Sequence, residues 1–368
     1  MIHENTKLMI NGAKLSDITN KQDSPINSYK ECIARIICNP PLPSCYIGNC
    51  NECPGTSKLK SQLQTAFEEA MMDTVTYKQW IAADKTTLET IEKNTEEFID
   101  VFIKNLISLK MHSFIATQQS QYYSEIKNNL KLGEFLVIAD FSENYAFVVQ
   151  DEVHGFHWNN NQATLHPFVI YYKADSSVQS QSFVIISDCL KHDSAAVHLF
   201  NRKLINFLNQ NFDTVEKIYY FTDGAASHYK NKSNFINLCS HEEDFGVKAE
   251  WHFFATSHGK GPCDGVGGTI KRLAARTSLQ RTSARNQILT PMDLFQWAQS
   301  NLKHVTFCYV TSNDYSAEVK FLEERFRSAR TVPGTRTKHA CIPRDKITLM
   351  LKTYSSAADT VYAKIRRD

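Results

Sequence analysis

The stretch FLVIADF (135–141) has the pattern from which the fold of this chain is first predicted. Its continuous apolar run and polar flanks predict a buried strand that ends at Asp140. Two later apolar runs follow the same plan. KIYYFTD (217–223) ends on Asp223, and KAEWHFFAT (248–256) leads into the glycine-rich turn TSHGKGPCDGVGG (256–268), which holds Asp264. The sequence therefore predicts three buried strands, each followed by an acidic residue at its end or in the turn beyond it.

The segments around these strands predict a mixed sheet. Three more apolar runs are candidate strands: NYAFVVQ (144–150), predicted to pair with the first strand as a hairpin, LHPFVIYY (165–172) and SFVIIS (182–187). Short loops favour antiparallel pairing of the early strands, whereas intervening helix-periodic segments favour parallel pairing of the later ones. This order predicts an α/β (α+β mixed) domain of the ribonuclease H-like kind, with a mixed five-stranded sheet flanked by helices.

Composition and pattern divide the 368 residues into five segments. The stretch LETIEKNTEEFIDVFIKNLISLKMH (88–112) and its continuation place apolar residues three and four apart, which predicts amphipathic helix. The predicted segments are a polar leader (1–30), a cysteine-rich segment predicted to bind zinc (31–56), a helical accessory domain (57–133), the ribonuclease H-like core (134–312) and a mixed C-terminal extension (313–368).

Overall composition excludes several classes of protein. With 42% hydrophobic and 22% charged residues, the chain is neither wholly disordered nor fibrous. No apolar run approaches the roughly 18–20 residues that span a bilayer, so no membrane partner is expected. The polar start does not resemble a secretory signal, and ten cysteines without such a signal predict a reducing compartment rather than secretion.

The three acids predict a site for divalent cations. Asp140 and Asp223 come together if their strands are neighbours, and the helix after the glycine-rich turn can bring Asp264 beside them. Adjacent carboxylates repel one another unless a cation neutralises them, and hard oxygen ligands suit Mg²⁺ or Mn²⁺. Two such ions about 3.5–4 Å apart would activate a water or a 3′-hydroxyl for phosphodiester displacement. The structural alternatives are a strand end for Asp140, a turn for Asp223 and a helix N-cap for Asp264.

The residues around Asp264 favour a polynucleotide over a nucleotide cofactor. The glycine-rich turn lacks the Gly-Lys-Ser/Thr ending of a Walker A loop, and Asp264 occupies the third glycine position of a GxGxxG motif. His258 and Lys260 are candidates to position a scissile phosphate, with a simple turn role as the alternative. Lys271 and Arg272, in a locally basic segment, are candidates to contact the DNA backbone, and a solvated helix face is the alternative.

The first cysteines predict a zinc site. Cys38, Cys45, Cys50 and Cys53 have the spacing C-x6-C-x4-C-x2-C, and clustered thiolates in a reducing compartment suit tetrahedral zinc. Cys32 is a competing ligand. Free or redox-active thiols are the alternative for the whole group.

Three boxes of this sequence resemble those of a transposon-derived group of proteins with a DDE/D transposase core, related to retroviral integrases. They are DFSENY (140–145), FTDGAASHYKN (221–231) and ATSHGKGPCDGVGGTIKR (255–272). The resemblance covers residues 135–280 and implies that Asp140, Asp223 and Asp264 are the catalytic, metal-binding triad. It also implies transposon-end or target DNA as substrate, a homodimer and a nuclear location, with the cytoplasm as the alternative. The sequence departs from many transposases in using aspartate as the third acid.

The sequence thus predicts a DDE/D transposase-like polynucleotidyl transferase or nuclease that uses two Mg²⁺ or Mn²⁺ ions. One alternative is a domesticated, catalytically inactive DNA- or protein-binding module that retains the fold. Another is a ribonuclease H-type nuclease that cuts RNA–DNA hybrids.

Overall fold

A computed structural model describes residues 9–10, 13–14, 26, 28–82, 86–148, 161–175, 177–256, 261–280 and 287–366 of the chain. The chain divides into two compact units, residues 1–115 and 116–368. None of the helices in these ranges is long and apolar enough to cross a membrane.

The first unit is helical with two small hairpins. Its helices are α1 (Tyr29–Ile36), α2 (Pro43–Ile47), α3 (Ser57–Glu69) and the first part of α4 (Thr95–Asn128); its strands are β1 (Met9–Ile10), β2 (Ala13–Lys14), β3 (Thr74–Ala82) and β4 (Thr86–Asn94). The Ser28 hydroxyl caps α1 by accepting the Glu31 N–H. Buried apolar side chains from α1, α3 and α4, such as Ile33, Leu59 and Phe102, form one core.

The hairpin of β3 and β4 corrects the prediction that residues 57–133 are helical. The two strands pair antiparallel from Thr74 opposite Asn94 to Ala82 opposite Thr86. Their sequences, TVTYKQWIA and TTLETIEKN, are rich in β-branched residues, which favour extended backbone over helix. The helical prediction is correct for α3 and α4 on either side of the hairpin.

The second unit is built on one large mixed sheet. Its strands are β5 (Glu134–Ala139), β6 (Tyr145–Ala146), β7 (Gln162–Ala174), β8 (Ser177–Ser187), β9 (Lys217–Thr222), β10 (Lys248–Phe253), β11 (Val305–Val310), β12 (Ala340–Pro343), β13 (Thr348–Lys352) and β14 (Thr360–Lys364). The hydrogen-bonded order is β11-β8-β7-β5-β9-β10-β12-β13-β14, with β6 pairing separately to β7. Strands β5, β7 and β8 are antiparallel neighbours, whereas β5, β9 and β10 run parallel.

Helices cover both faces of this sheet. They are α5 (Ser194–Asn211), α6 (Lys232–Cys239), α7 (His241–Phe245), α8 (Pro262–Gln280), α9 (Pro291–Asn301) and α10 (Ser312–Ser328), followed by a 3-10 turn (Thr335–Thr337). On one face Val137 and Tyr220 pack in a core with residues of α5 and α6. On the other face Ile138 and Phe221 pack with Cys263 of α8. This alternation along β5 and β9 explains why both strands are continuously apolar.

Three predictions about the sheet need correction. The hairpin partner of β7 is β8, and the first strand pairs with β7 instead of with NYAFVVQ. In the described part of that segment only Tyr145–Ala146 is extended, and it pairs with Gln162 and Ala163 of β7. The sheet also exceeds five strands, because β11 extends one edge and β12–β14 extend the other. Three strands of the segment 313–368 therefore belong to the same sheet, since Trp251 of β10 pairs directly with Cys341 of β12.

Candidate carboxylate site and cysteine cluster

Two of the predicted acids, Asp140 and Asp223, follow the carboxyl ends of adjacent parallel strands. Strands β5 and β9 are parallel, and Ile138 is the register partner of Phe221. The chain therefore reaches Asp140 and Asp223 two residues later, at the carboxyl ends of adjacent strands. Asp264 lies in the first turn of α8, the helix that follows β10. The sheet topology thus brings together the three acids that the sequence singled out.

The carboxyl group of Asp140 senses the charges of the other two acids. The pKa of Asp140 is raised to about 7, first by its burial and then by the negative charges of Asp223 and Asp264. Asp140 and Asp223 are half-buried, whereas Asp264 is exposed. Three ionised carboxylates at one point are unfavourable, and a bound cation would relieve the repulsion.

Two of the acids also have local structural roles. The Ala225 N–H donates to Oδ1 of Asp223 at 3.1 Å, which forms a turn. The Gly261 N–H donates to Oδ2 of Asp264 at 3.0 Å, at the start of α8. The turn and helix-start alternatives therefore hold for these residues. Each contact uses one of two carboxylate oxygens, so neither excludes a ligand role.

The carboxylates form a wider group than the thiols of the first unit. In the described ranges, only Cys38, Cys45, Cys50 and Cys53 bring three or more candidate ligand atoms all within 4.8 Å of one another. Three carboxylates fit a hard divalent cation by donor chemistry.

The floor beneath Asp140 and Asp223 is aromatic and uncharged. The Tyr229 hydroxyl lies 2.9 Å from Nε2 of His166. Burial, and then His192 and His228, lower the pKa of His166 to about 3, so this imidazole is neutral at physiological pH. The pKa of Tyr229 is raised by burial and then by Asp140 and Asp223. The Tyr229 hydroxyl and the neutral His166 ring therefore contribute no positive charge that would compete with a cation for the carboxylates.

The ring of Phe141 contacts three histidines beside the carboxylate site. Its ring stacks on His192 with centroids 4.3 Å apart and lies 4.9 Å from His228 and 4.4 Å from His166. Burial lowers the pKa of both His192 and His228. The sequence did not predict this cluster, because its members come from four separate segments. The signal available was weak: His228 lies five residues after Asp223.

Lys230 lies below the turn that follows Asp223. It is 9% exposed, and its Nζ donates to the carbonyl oxygen of Arg336 at 3.1 Å. Nζ also lies 3.8 Å from the position that a Cβ on Gly224 would occupy. Lys230 therefore joins this turn to the segment before β12, and its ammonium is directed into the protein.

The structure describes two of the four predicted phosphate-contacting residues. His258 and Lys260 lie outside the described residues. Lys271 is half-buried on α8, and burial lowers its pKa while Glu143 raises it. Arg272 is exposed on the same helix. Of the described pair, Arg272 is the more accessible to a polynucleotide.

The cysteine cluster confirms the predicted grouping of thiols. The Sγ atom of Cys38 lies 3.7 Å from that of Cys50 and 3.9 Å from that of Cys53. Cys45 completes the set from α2, where the Leu42 N–H donates to its Sγ at 3.4 Å and lowers its pKa to about 7. A lowered thiol pKa favours the thiolate that metals bind. These four residues could hold a structural metal such as zinc.

Cys32, the competing ligand, lies elsewhere. Its side chain is fully buried in the core of the first unit, and burial raises its pKa to about 12. The first unit also secures the cluster through α4, whose Lys110 ammonium donates to the carbonyl oxygen of Cys45 at 2.7 Å. Tyr46 stacks on Phe114 of the same helix with centroids 4.7 Å apart.

Comparison with known proteins gives two matches to family models, one in each part of the chain. No curated protein and no solved structure matches it. Residues 1–110 match the family model described as "Domain of unknown function (DUF8700)". Residues 119–355, which include the whole carboxylate site, match the model described as "Domain of unknown function (DUF8701)". The match spans more than half of the chain, which therefore belongs to the family of domains of unknown function DUF8701.

Proposed function

We propose that the second unit is a ribonuclease H-like core that cuts and joins DNA phosphodiesters with two divalent cations, as DDE/D transposases do. The observation that carries the proposal is the convergence of Asp140, Asp223 and Asp264 at one edge of the sheet. The strand order supports it, because β5 has an antiparallel neighbour on one side and a parallel neighbour on the other. That mixed arrangement is what the ribonuclease H-like hypothesis requires.

In this proposal the three carboxylates would hold the metal. Bound Mg²⁺ or Mn²⁺ would supply Lewis acidity, lowering the pKa of a bound water and neutralising charge on the phosphate. Asp140, whose pKa is raised by burial and by both other acids, would be one of the residues that hold the metal. The neutral floor of Tyr229 and His166 leaves the carboxylate charge available, because it contributes no cation of its own.

DNA would reach the site along α8. Arg272 and Arg276 are exposed on this helix, whose first turn carries Asp264. Cationic side chains next to the carboxylates would hold phosphates near the metals, and such backbone contacts position DNA without reading its sequence. The homodimer and the nuclear location implied by the resemblance belong to the same proposal.

For the first unit we infer a structural role with zinc as the metal. The four thiols of the cluster match the donor set of structural zinc, because four protein ligands fill its tetrahedral coordination. Zinc would then fix the loop after α1 to α2 and α4.

A specific observation favours a second candidate, the catalytically silent binding module. Asp223 and Asp264 each accept a backbone hydrogen bond that stabilises a turn or a helix start. These roles would preserve both acids even in a protein without activity. The two candidates differ in whether the carboxylate of Asp140, which also accepts a backbone hydrogen bond from Phe141, is needed for function.

Nicking of supercoiled plasmid in Mg²⁺ or Mn²⁺ tests the proposal. We expect the wild-type chain to nick and the Asp140→Asn and Asp223→Asn variants to be inactive. Asp213→Asn is the matched control, because this exposed acid precedes β9 at the opposite end of the strand. Cleavage of RNA–DNA hybrid alone would replace the transposase hypothesis with the hybrid nuclease. Equal products from wild type and Asp140→Asn, or none from either, would favour the silent module.

A further inference from the structure

Helix α8 contacts the sheet through a buried stripe that includes small residues near its start. The buried residues of the helix are Cys263, Gly267, Ile270, Ala274 and Ser278. Cys263 and Gly267 are four positions apart and so share one face of the helix. Asp264 adjoins Cys263 in the first turn, so the depth at which this face sits on the sheet sets the position of the Asp264 carboxylate.

Cys263 attaches the first turn to the strands that lead to the site. Its side chain is 2% exposed, and its thiol donates to the carbonyl oxygens of Ile138 at 3.4 Å and Pro167 at 3.6 Å. Ile138 precedes Asp140 by two residues. The residue beside Asp264 therefore contacts the strand that carries Asp140.

Gly267 makes the closest approach between the helix and the same segment. A Cβ at this position would lie 2.1 Å from Oγ and 3.3 Å from Cβ of Ser142, which no real Cβ could tolerate without movement. Ser142 is two residues beyond Asp140, and its N–H donates to the carbonyl oxygen of Leu165 at 3.0 Å. Rotation of the Ser142 hydroxyl relieves the contact with Oγ, but the hydrogen bond holds the Ser142 backbone, so its Cβ stays 3.3 Å from the added methyl group. Helix α8 must then move outward by a few tenths of an ångström.

We propose that Gly267 is a positioning residue for the carboxylate site. By having no side chain it lets α8 approach the segment Asp140–Ser142, and it thereby sets the separation between the carboxylates of Asp264 and Asp140. The inference rests on the proposed function in one respect: the carboxylates must hold divalent cations for their separation to matter to catalysis.

The same helix contains two matched controls. Gly265 and Gly268 are exposed, and a Cβ on either would meet nothing within 4 Å. Alanine favours helix more than glycine does, so Gly268→Ala should raise the temperature of thermal unfolding. Gly267→Ala adds the same methyl group to the same helix one residue earlier, and only there does it meet Ser142.

The experiment measures Mn²⁺ binding by calorimetry and the position of α8 by crystallography, on the full chain. The variants are Gly267→Ala, Gly268→Ala and the double variant Gly267→Ala/Ser142→Gly, which removes both Ser142 atoms that the new methyl would meet. We expect Mn²⁺ affinity to fall about tenfold or more in Gly267→Ala, which corresponds to about 1.4 kcal/mol. Wild-type affinity should persist in Gly268→Ala and return in the double variant.

Each result decides a different point. A Gly267→Ala protein that folds, binds Mn²⁺ like the wild type and keeps α8 in place would overturn the positioning role while leaving the proposed function intact. If the wild type binds no Mn²⁺, the proposed function loses its support. The crystal structures then still decide the inference: it stands if the distance between Asp264 and Asp140 increases in Gly267→Ala alone, and it is wrong if the distance is unchanged.

Discussion

Replacing Lys230 with methionine is expected to stabilise the protein at neutral pH and to destabilise it slightly in alkali. Burial lowers the pKa of this ammonium from 10.5 to about 8, because few polar groups replace the lost water. The described partner of Nζ is one carbonyl oxygen, that of Arg336, and the ring of Phe253 lies 5.0 Å away. The folded protein therefore holds the charged ammonium less favourably than water does, although the group is still charged at pH 7.

The shift gives both the size and the sign of the effect. A pKa lowered from 10.5 to about 8 corresponds to about 3 kcal/mol of lost stability while the unfolded chain is charged. Because the folded pKa is the lower one, the full penalty applies below about pH 8 and disappears as the pH rises to 10.5. Methionine removes the penalty but forfeits one hydrogen bond of about 1 kcal/mol. The variant should thus gain about 2 kcal/mol at pH 7 and lose about 1 kcal/mol above pH 10.5.

Urea unfolding followed by tryptophan fluorescence, with reductant present, measures this difference at the two pH values. The exposed Lys232, two residues along the chain, gives the control Lys232→Met, for which no dependence of the difference on pH is expected. A Lys230→Met protein that is equally destabilised at pH 7 and at pH 10.5 would refute the reasoning. It would mean that the charged ammonium contributes favourably where it lies.

Three further predictions concern the cysteine cluster, a half-buried ion pair and the carboxylate site. Cys50→Ser should lose bound zinc in metal analysis and unfold at a lower temperature, whereas Cys308→Ser, outside the cluster, should keep it. Although burial opposes it, hydrogen bonds from His252 and Lys217 lower the pKa of Glu250 from 4.5 to about 2. The stabilisation from Glu250 is present above pH 4.5 and is lost as the pH falls through about 2. Acid unfolding followed by circular dichroism should therefore show a decrease in the stability of the wild type over this pH range, and Glu250→Gln should not show that decrease. Asp140→Asn should raise the unfolding temperature at pH 8 without divalent ions. The raised pKa of Asp140 means that its ionised carboxylate destabilises the folded protein, so the gain in unfolding temperature should become smaller as the pH falls below 7.

The proximity of Asp140 and Asp223 could be predicted because continuous apolar runs in the sequence show where strands end. Continuous apolar runs identified β5, β9 and β10, and parallel neighbours must end at one edge of a sheet, so Asp140 and Asp223 had to meet. The thiol group was equally accessible, because close spacing along the chain limits how far apart the thiols can lie. Both predictions depended on local pattern and simple topology.

Other parts of the site depend on contacts that local pattern cannot encode. His166 and Tyr229 come from β7 and from the turn after β9, and only the folded sheet makes them neighbours. In the sequence, Gly267 is one member of a glycine-rich turn, whereas in the structure it lies inside helix α8, which begins at Pro262. The hairpin of β3 and β4 was missed because it lies between two long helical patterns that obscured its β-branched strands.

The extension of the sheet by β12–β14 has a practical consequence for anyone who expresses part of this chain. Strand β10 pairs with β12 along one side, and its Trp251 and Phe253 are almost fully buried. A fragment that stops before Ala340 would leave β10 as an open edge, with unpaired backbone groups beside large apolar side chains, and such edges recruit strands from other molecules. Fragments bounded at residue 312 should therefore aggregate, and soluble material for work on the carboxylate site should retain the strands through Lys364.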